Sequence, residues 1–257
     1  MRAVLLIART EVLEHRRQPW MVFILVLNYV LWLTAFGVIF GSLSVVASQP
    51  IVMAQLQAQF ETVGVEMDAL MYMGVSSFGA LMFTNMPLYV ALMSGYSVLH
   101  DRSCGTMPFL MLSPLSRWQL LAGKLAGAMT IPLVLHLVFV GAGTLALGRL
   151  EILADHGARL GGSAAWWVAF LLGAPSSGIL VGALGTVISA MSRDVRTSMQ
   201  FTSFFFGLLS LGMGAALIDG ISEGVGLQLV YAVGCLLAGA VALLIGARLI
   251  SRDVPPT

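Results

Sequence analysis

The side chains that could do chemistry are few, and their spacing matches none of the common catalytic arrangements. His136 lies in a long apolar stretch, and no His-Glu-x-x-His pattern occurs, so a zinc protease site is not indicated. Gly123-Lys124 is followed by Leu125, so the chain lacks the P-loop that cradles nucleotide phosphates. Four serines outside any Gly-x-Ser-x-Gly turn are expected to bond to backbone carbonyls: Ser76, Ser77, Ser176 and Ser177. The sequence therefore predicts no catalytic residue and no metal site.

The segments that hold these residues are too apolar for a soluble protein. Of the 257 residues, 58% are hydrophobic and 10% are charged, and the mean hydropathy is +0.94. A soluble domain carries roughly 25% charged residues and needs polar groups to cover its surface. The net charge of +1 offers no field for a polyanion such as nucleic acid. These values exclude a soluble enzyme, a nucleic-acid-binding protein and a disordered chain, and they predict an all-α polytopic membrane protein.

Six apolar segments are long enough to cross a bilayer, for which about 20 helical residues suffice. We predict one transmembrane domain over residues 1–257, with spans at about 20–46, 69–99, 120–147, 164–191, 199–218 and 226–247. Pro175 predicts a kink or break in the fourth span. The outer loop at 48–68 is equally compatible with a short surface helix and with an irregular linker.

The basic residues predict the orientation of the spans. Eleven of the 13 Lys and Arg residues, all except Arg149 and Arg159, fall on one side. By the positive-inside rule that side is the cytoplasm, so both termini are predicted to be cytoplasmic. The expected location is a bacterial cytoplasmic (inner) membrane.

The charged segment 1–18 precedes the first span. On a helical wheel Arg2, Arg9 and Arg16 fall within about 40° of one another, whereas Glu11 lies on another side. We predict an interfacial helix whose arginines face lipid headgroups. The alternative is a cytoplasmic extension of the first span.

Among the polar residues inside predicted spans, we single out Asn28, Asn85 and His136. Ionisable groups within a membrane are functional candidates by default. These side chains could line a transport pathway or form hydrogen bonds between helices, and we favour the hydrogen bonds. A membrane-embedded enzyme that uses His136 and nearby serines is a further alternative.

The connection between the second and third spans has the most informative local pattern. Gly105 can supply a tight turn, Thr106 can cap a following helix, and Pro108 suits the first turn of that helix. Ser113-Pro114 ends it, because the residue before proline is pushed away from helical angles. The pattern predicts a two-turn cytoplasmic helix with exposed apolar side chains at Phe109, Leu110, Met111 and Leu112. Such a helix needs a groove in a partner or a place against the membrane to cover its apolar side chains. The alternative is an interfacial helix of no special role.

The same connection resembles the membrane subunits of type-2 ABC exporters. The similar residues are Asp101-Arg102-x-x-Gly105-Thr106, the apolar stretch, and Ser113-Pro114-Leu115-Ser116-Arg117-x-x-Leu120-Leu121-x-Gly123-Lys124. Ala8-Arg9-Thr10-Glu11 resembles the start of those proteins, and residues 188–197 resemble their second cytoplasmic loop.

The resemblance implies a permease subunit of an ATP-driven exporter. A separate ABC ATPase would bind ATP and Mg, and this chain would hold no cofactor. Two permease subunits would pair in the lipid membrane, as a homodimer or with a related permease. By resemblance, the ATPase-coupling residues are Asp101, Arg102, Gly105, Thr106, Phe109, Leu110, Pro114 and Arg117, and those of the interfacial helix are Arg9, Glu11 and Arg16. The alternative is a membrane scaffold or assembly protein that binds a cytoplasmic partner without transport.

Overall fold

The computed structural model describes residues 2–16, 19–64, 66–147, 163–192 and 194–250. Every regular element in these ranges is helical, which confirms the predicted all-α class for the described part of the chain. In chain order the elements are α1 (Arg2–Arg16), α2 (Pro19–Ala47), α3 (Pro50–Val63), α4 (Met67–Ser103), α5 (Met107–Leu112), α6 (Arg117–Leu135), the π-helical segment π1 (His136–Val140), α7 (Gly141–Leu147), α8 (Ala164–Val168), the π-helical segment π2 (Ala169–Gly173), α9 (Ala174–Met191), α10 (Val195–Glu223) and α11 (Val225–Ile250).

Four stretches of the described residues are long and apolar enough to cross a membrane. They are Val22–Val46, Arg117–Leu145, Ala164–Met191 and Val225–Leu249, and they overlap the first, third, fourth and sixth predicted spans. These helices indicate an integral membrane protein. The second and fifth predicted spans fall in α4 and α10, which have 37 and 29 residues. Neither helix is among the four membrane-crossing stretches found in the described residues.

Some sequence-based predictions fall partly outside the described residues. The loop that carries Arg149 and Arg159 lies outside them, and so do Arg17, Arg193 and the C-terminal tail with Arg252. Of the two alternatives for the first loop, the structure has a helix, α3, which ends at Gly64 in the left-handed conformation (φ 75°). The fourth predicted span is not broken at Pro175, since helix continues from Ala164 to Met191 with π2 just before the proline.

The helix α4 packs closely against both α9 and α10. A Cβ atom added at Gly185 of α9 would overlap the Ser94 side chain of α4, and one added at Gly95 would lie 2.8 Å from Thr202 Oγ1 of α10. Two serines reinforce these contacts. Ser189 Oγ accepts a hydrogen bond from the Leu99 N–H (3.0 Å), and Ser198 Oγ donates one to the Gly95 carbonyl (2.6 Å). Small residues therefore bring three helices together, as is common where apolar helices associate in membranes.

We expect Gly185→Val to separate α4 from α9 and to lower the thermal unfolding midpoint of the detergent-purified protein, because the added side chain overlaps Ser94. Gly234→Val is the matched control, since a Cβ at this α11 glycine meets nothing within 4 Å. Equal midpoints for the two variants would show that the close approach at Gly185 is not needed.

Candidate functional site

A lysine is buried at the start of the Arg117–Leu145 stretch. Lys124 is only 2% exposed, and its Nζ lies 2.6 Å from Asp101 Oδ2, 2.9 Å from Glu11 Oε2 and 3.1 Å from the Ser97 carbonyl oxygen. The Nζ donates hydrogen bonds to the Glu11 carboxylate and to the Ser97 carbonyl oxygen, and its contact with Asp101 is an ion pair. We call Lys124, Glu11, Asp101 and Ser97 the ion cluster.

The ion cluster joins three helices, because Glu11 belongs to α1, Asp101 and Ser97 to α4, and Lys124 to α6. Both carboxylates are buried with the lysine. Removing charges from water is costly, and a buried ion pair is tolerated when its geometry is good and its remaining donors are used. The three helices must therefore meet at this point for the ammonium group to be stabilised.

Two glycines allow α1 to approach α6 closely enough to form the ion cluster. A Cβ at Gly123 would lie 2.7 Å from the Ile7 Cβ, and a Cβ at Gly127 would overlap the Glu11 side chain. Ile7, Glu11 and His15 form the buried face of α1, at a spacing of four residues. The helix α1 therefore packs on α6 through a face that carries one apolar and two polar side chains.

The ion cluster also holds the base of α5. Thr106 Oγ1 donates a hydrogen bond to Asp101 Oδ1 (3.1 Å), and the Thr106 N–H donates to the Asp101 carbonyl oxygen (2.9 Å). Gly105 forms the turn between them in the left-handed conformation, with φ 70°. The prediction that the Thr106 side chain caps α5 was wrong, because its hydroxyl bonds to Asp101 and makes no capping hydrogen bond to α5.

The helix α5 has one face packed on the protein and one face in solvent. Met107 is 7% exposed and packs with Ile7, Val98 and Leu120, and Leu110 lies partly buried against this cluster. Phe109 and Leu112 are 76% and 83% exposed. Apolar side chains this exposed need a partner protein or the membrane to cover them.

The remaining predicted coupling residues lie around this surface with different exposure. Arg102 is exposed, and its Nη1 donates a long hydrogen bond (3.4 Å) to the Ser192 carbonyl oxygen at the end of α9. Pro114 is exposed and Arg117 is half-buried at the start of α6. On α1, Arg9 is exposed, whereas Glu11 is buried; the side chain of Arg16 is outside the described part.

The ends of α9 and α10 that follow each other in the chain border a cleft of about 740 Å³ beside the end of α4. Its lining includes Arg102, Ser192 and Asp194. Asp194 caps α10, since its Oδ1 accepts a hydrogen bond from the Thr197 N–H (2.8 Å) and its Oδ2 one from the Thr197 hydroxyl (2.7 Å). These hydrogen bonds from Thr197 hold the pKa of Asp194 below its ordinary value. The capped start of α10 therefore lies beside Arg102 in this cleft.

Further titratable groups surround the ion cluster. Glu14 and His15 of α1 and Tyr96 and His100 of α4 line a small cavity together with Glu11 and Ser97. Burial, and then the neighbouring Glu11 carboxylate, raise the pKa of Glu14 above its ordinary value. Carboxylates therefore outnumber the single ammonium group at this site.

The other polar residues singled out inside the predicted spans differ in whether their side chains form hydrogen bonds. His136 is fully buried, and its Nε2 lies 3.1 Å from the Phe170 carbonyl oxygen of π2, a contact between helices of the kind we favoured. Asn28 Oδ1 and Asn85 Nδ2 are buried with no hydrogen-bond partner in the described part of the chain, so the hydrogen bonds expected of these atoms are not present there. Ser176 and Ser177 donate to the Gly173 carbonyl, as expected of serines inside a helix.

Lys124 is the functional candidate that the sequence reasoning missed. It was counted as one of the cytoplasmic basic residues, whereas the structure buries it at the centre of the ion cluster. A lysine between two glycines within an apolar helix, Gly123-Lys124-x-x-Gly127, was the available signal.

The family model described as ABC-2 family transporter protein matches residues 5–225. The chain belongs to the ABC-2 transporter family. The match confirms the resemblance drawn from the α4–α6 connection, and it covers most of α1 and all the elements from α2 through α10, including the ion cluster and α5. A search of the curated proteins gives no significant match. Membership makes this ABC-2 chain a membrane component of a transport system.

We expect Lys124→Met to destabilise the ABC-2 chain by roughly 3–5 kcal/mol, because it leaves two buried carboxylates without their cation. Arg9→Met is the control on an exposed cation of α1, with an expected change within about 0.5 kcal/mol. Denaturant unfolding in detergent measures both. A Lys124→Met protein as stable as the Arg9→Met protein would contradict the role given to the ion cluster.

Proposed function

We propose that this ABC-2 chain is the transmembrane subunit of an ATP-driven exporter, and that a separate nucleotide-binding subunit hydrolyses the ATP. The observation that supports this most is α5, a short helix with Phe109 and Leu112 in solvent and its base held by Asp101. An exposed apolar helix fixed to the ends of two spans is suited to receive movement from a partner. The partner ATPase would carry ATP and Mg, and this chain would need no cofactor.

The contacts around α5 suggest how movement of the ATPase reaches the spans. A displacement of α5 acts on Thr106 and, through its hydrogen bonds, on Asp101 at the end of α4. Asp101 in turn is paired with Lys124 of α6, which is paired with Glu11 of α1. Because a buried charge that loses its partner is costly, the three helices should move as one unit.

The proposed arrangement in the membrane has six spans, with α4 and α10 as the second and fifth. Both termini and α5 lie in the cytoplasm of a bacterial cell, and the membrane is the inner one. The helix α1 lies at the interface, with exposed Arg9 and exposed Leu5 and Leu6 available to lipid. Two such subunits, identical or related, form the permease, and substrate passes outward between them.

A scaffold or assembly protein is the second candidate, because an exposed apolar α5 could equally bind a partner that is not an ATPase. The two candidates differ in the identity of that partner. Affinity purification of the tagged chain from its native membranes, with mass spectrometry of the chains that accompany it, separates them. A stoichiometric partner with a P-loop supports the exporter, and a stoichiometric partner without one supports the scaffold.

We expect Phe109→Asp to release the ATPase in this purification, because it places a charge on the exposed face of α5. Phe109→Leu is the matched control and should retain the ATPase. An undiminished ATPase with Phe109→Asp would mean that α5 is not the docking helix.

We expect Gly105→Pro to uncouple the complex, because proline is fixed near a φ of about −65° whereas Gly105 needs φ 70°. The stimulation of the ATPase by the permease should fall, while the spans stay folded. Gly105→Asn is the control, since asparagine tolerates the left-handed conformation. The proposed coupling segment would be wrong if Gly105→Pro stimulated the ATPase as fully as Gly105→Asn.

A further inference from the structure

Two π-helical segments face each other inside the spans. The segment π1 (His136–Val140) follows α6, and π2 (Ala169–Gly173) precedes α9. The His136 and Phe170 rings stack with centroids 4.9 Å apart and planes inclined by 30°. π-Helical turns are rare and frequently occur at functional sites. The direct contact between π1 and π2 therefore needs a physical explanation.

Pro175 supplies the cause for π2. In an α-helix the Phe170 carbonyl would accept from the N–H of residue 174, but the Ala174 N–H bonds to the Ala169 carbonyl. In a π-helix it would accept from residue 175, which is proline and has no N–H. The Phe170 carbonyl therefore has neither usual donor from its own helix, and a buried carbonyl without a donor is costly.

His136 occupies the place of the missing donor, with its Nε2 3.1 Å from the Phe170 oxygen. A carbonyl oxygen can only accept, so Nε2 must carry the hydrogen. In the neutral ring Nδ1 then has the lone pair, and this atom is buried without a hydrogen-bond partner among the described residues. The imidazole is held by one hydrogen bond and by ring contacts with Phe170 and Phe83.

We propose that His136 is a positioning residue that joins the third and fourth spans by replacing the N–H that Pro175 lacks, so that π1 and π2 form a joint between them. The consequence for transport rests on the proposed function. Lys124 lies 12 residues before His136, or about 18 Å along the helix at 1.5 Å per residue. Movement that enters α6 at the ion cluster therefore turns this span about its contact with the fourth span.

A double-mutant cycle tests the joint without the ATPase. In the purified full-length chain, His136→Leu should lower the thermal unfolding midpoint by roughly 5 °C, because it leaves the Phe170 carbonyl without a donor. In a Pro175→Ala background residue 175 regains its N–H, so the same substitution should lower the midpoint by less than half as much. An equal loss in both backgrounds would overturn the proposal.

A spectroscopic readout separates this role from mere packing. Nitrogen-15 NMR of the histidine-labelled chain, with the His136 signal assigned from its loss in His136→Gln, should show a protonated Nε2 and an unprotonated Nδ1. The opposite tautomer would overturn the proposal, because Nε2 could then not donate to Phe170.

The role in transport is measured in the complex with the ATPase. Stimulation of the ATPase should fall in His136→Leu, persist in His136→Gln, whose amide can donate, and return in His136→Leu/Pro175→Ala. If stimulation in His136→Leu matched the unsubstituted chain, the joint would have no role in coupling. If neither the unsubstituted chain nor any variant stimulated an ATPase, the proposed function would fail. The double-mutant unfolding cycle would still show whether His136 and Pro175 are coupled as proposed.

Discussion

The Lys124 ammonium group is the constraint on which the arrangement of α1, α4, α5 and α6 in this ABC-2 protein depends. It is removed from water, and its two hydrogen bonds and its ion pair with Asp101 form only when α1, α4 and α6 are in place together. The position of α5 follows from the same contacts, because Thr106 bonds to the carboxylate that pairs with Lys124. One buried charge thus determines where the surface with Phe109 and Leu112 is presented.

The rest of the bundle is held by a different kind of contact. Small residues and serines let α4, α9 and α10 approach closely, whereas large apolar side chains such as Phe23, Leu237 and Leu244 are exposed on α2 and α11. Lipid is as apolar as these side chains, so their burial gives little drive for association, and close packing and hydrogen bonds must supply it. Two kinds of contact therefore hold the helices: a charged one where α1, α4 and α6 meet, and a close-packed one between α4, α9 and α10.

The sequence predicted what depends on local pattern. The composition predicted the helical membrane class. A short helix was predicted where α5 lies, from Gly105, Pro108 and Ser113-Pro114. The burial of Lys124 was missed because Glu11 is 113 residues away in sequence, and such a pair is visible only after the helices have packed. The Thr106 cap was wrongly predicted for a related reason, since a carboxylate five residues earlier competes for its hydroxyl. Pro175 was recognised as a disturbance, but the histidine that compensates for it lies in another helix.

A buried ion cluster is an expensive way to hold helices together, since apolar side chains of similar volume usually stabilise as well or better. Its advantage is specificity of position. Without the charged contact, α1 and α6, which meet at Gly123 and Gly127, could slide or rotate with little change in contact area. The ammonium group permits one register, because Glu11, Asp101 and the Ser97 carbonyl are all within reach at only one placement of α1 and α4 around Lys124. An exporter of the proposed kind, in which movement passes through a short helix, needs that register more than it needs the additional stability.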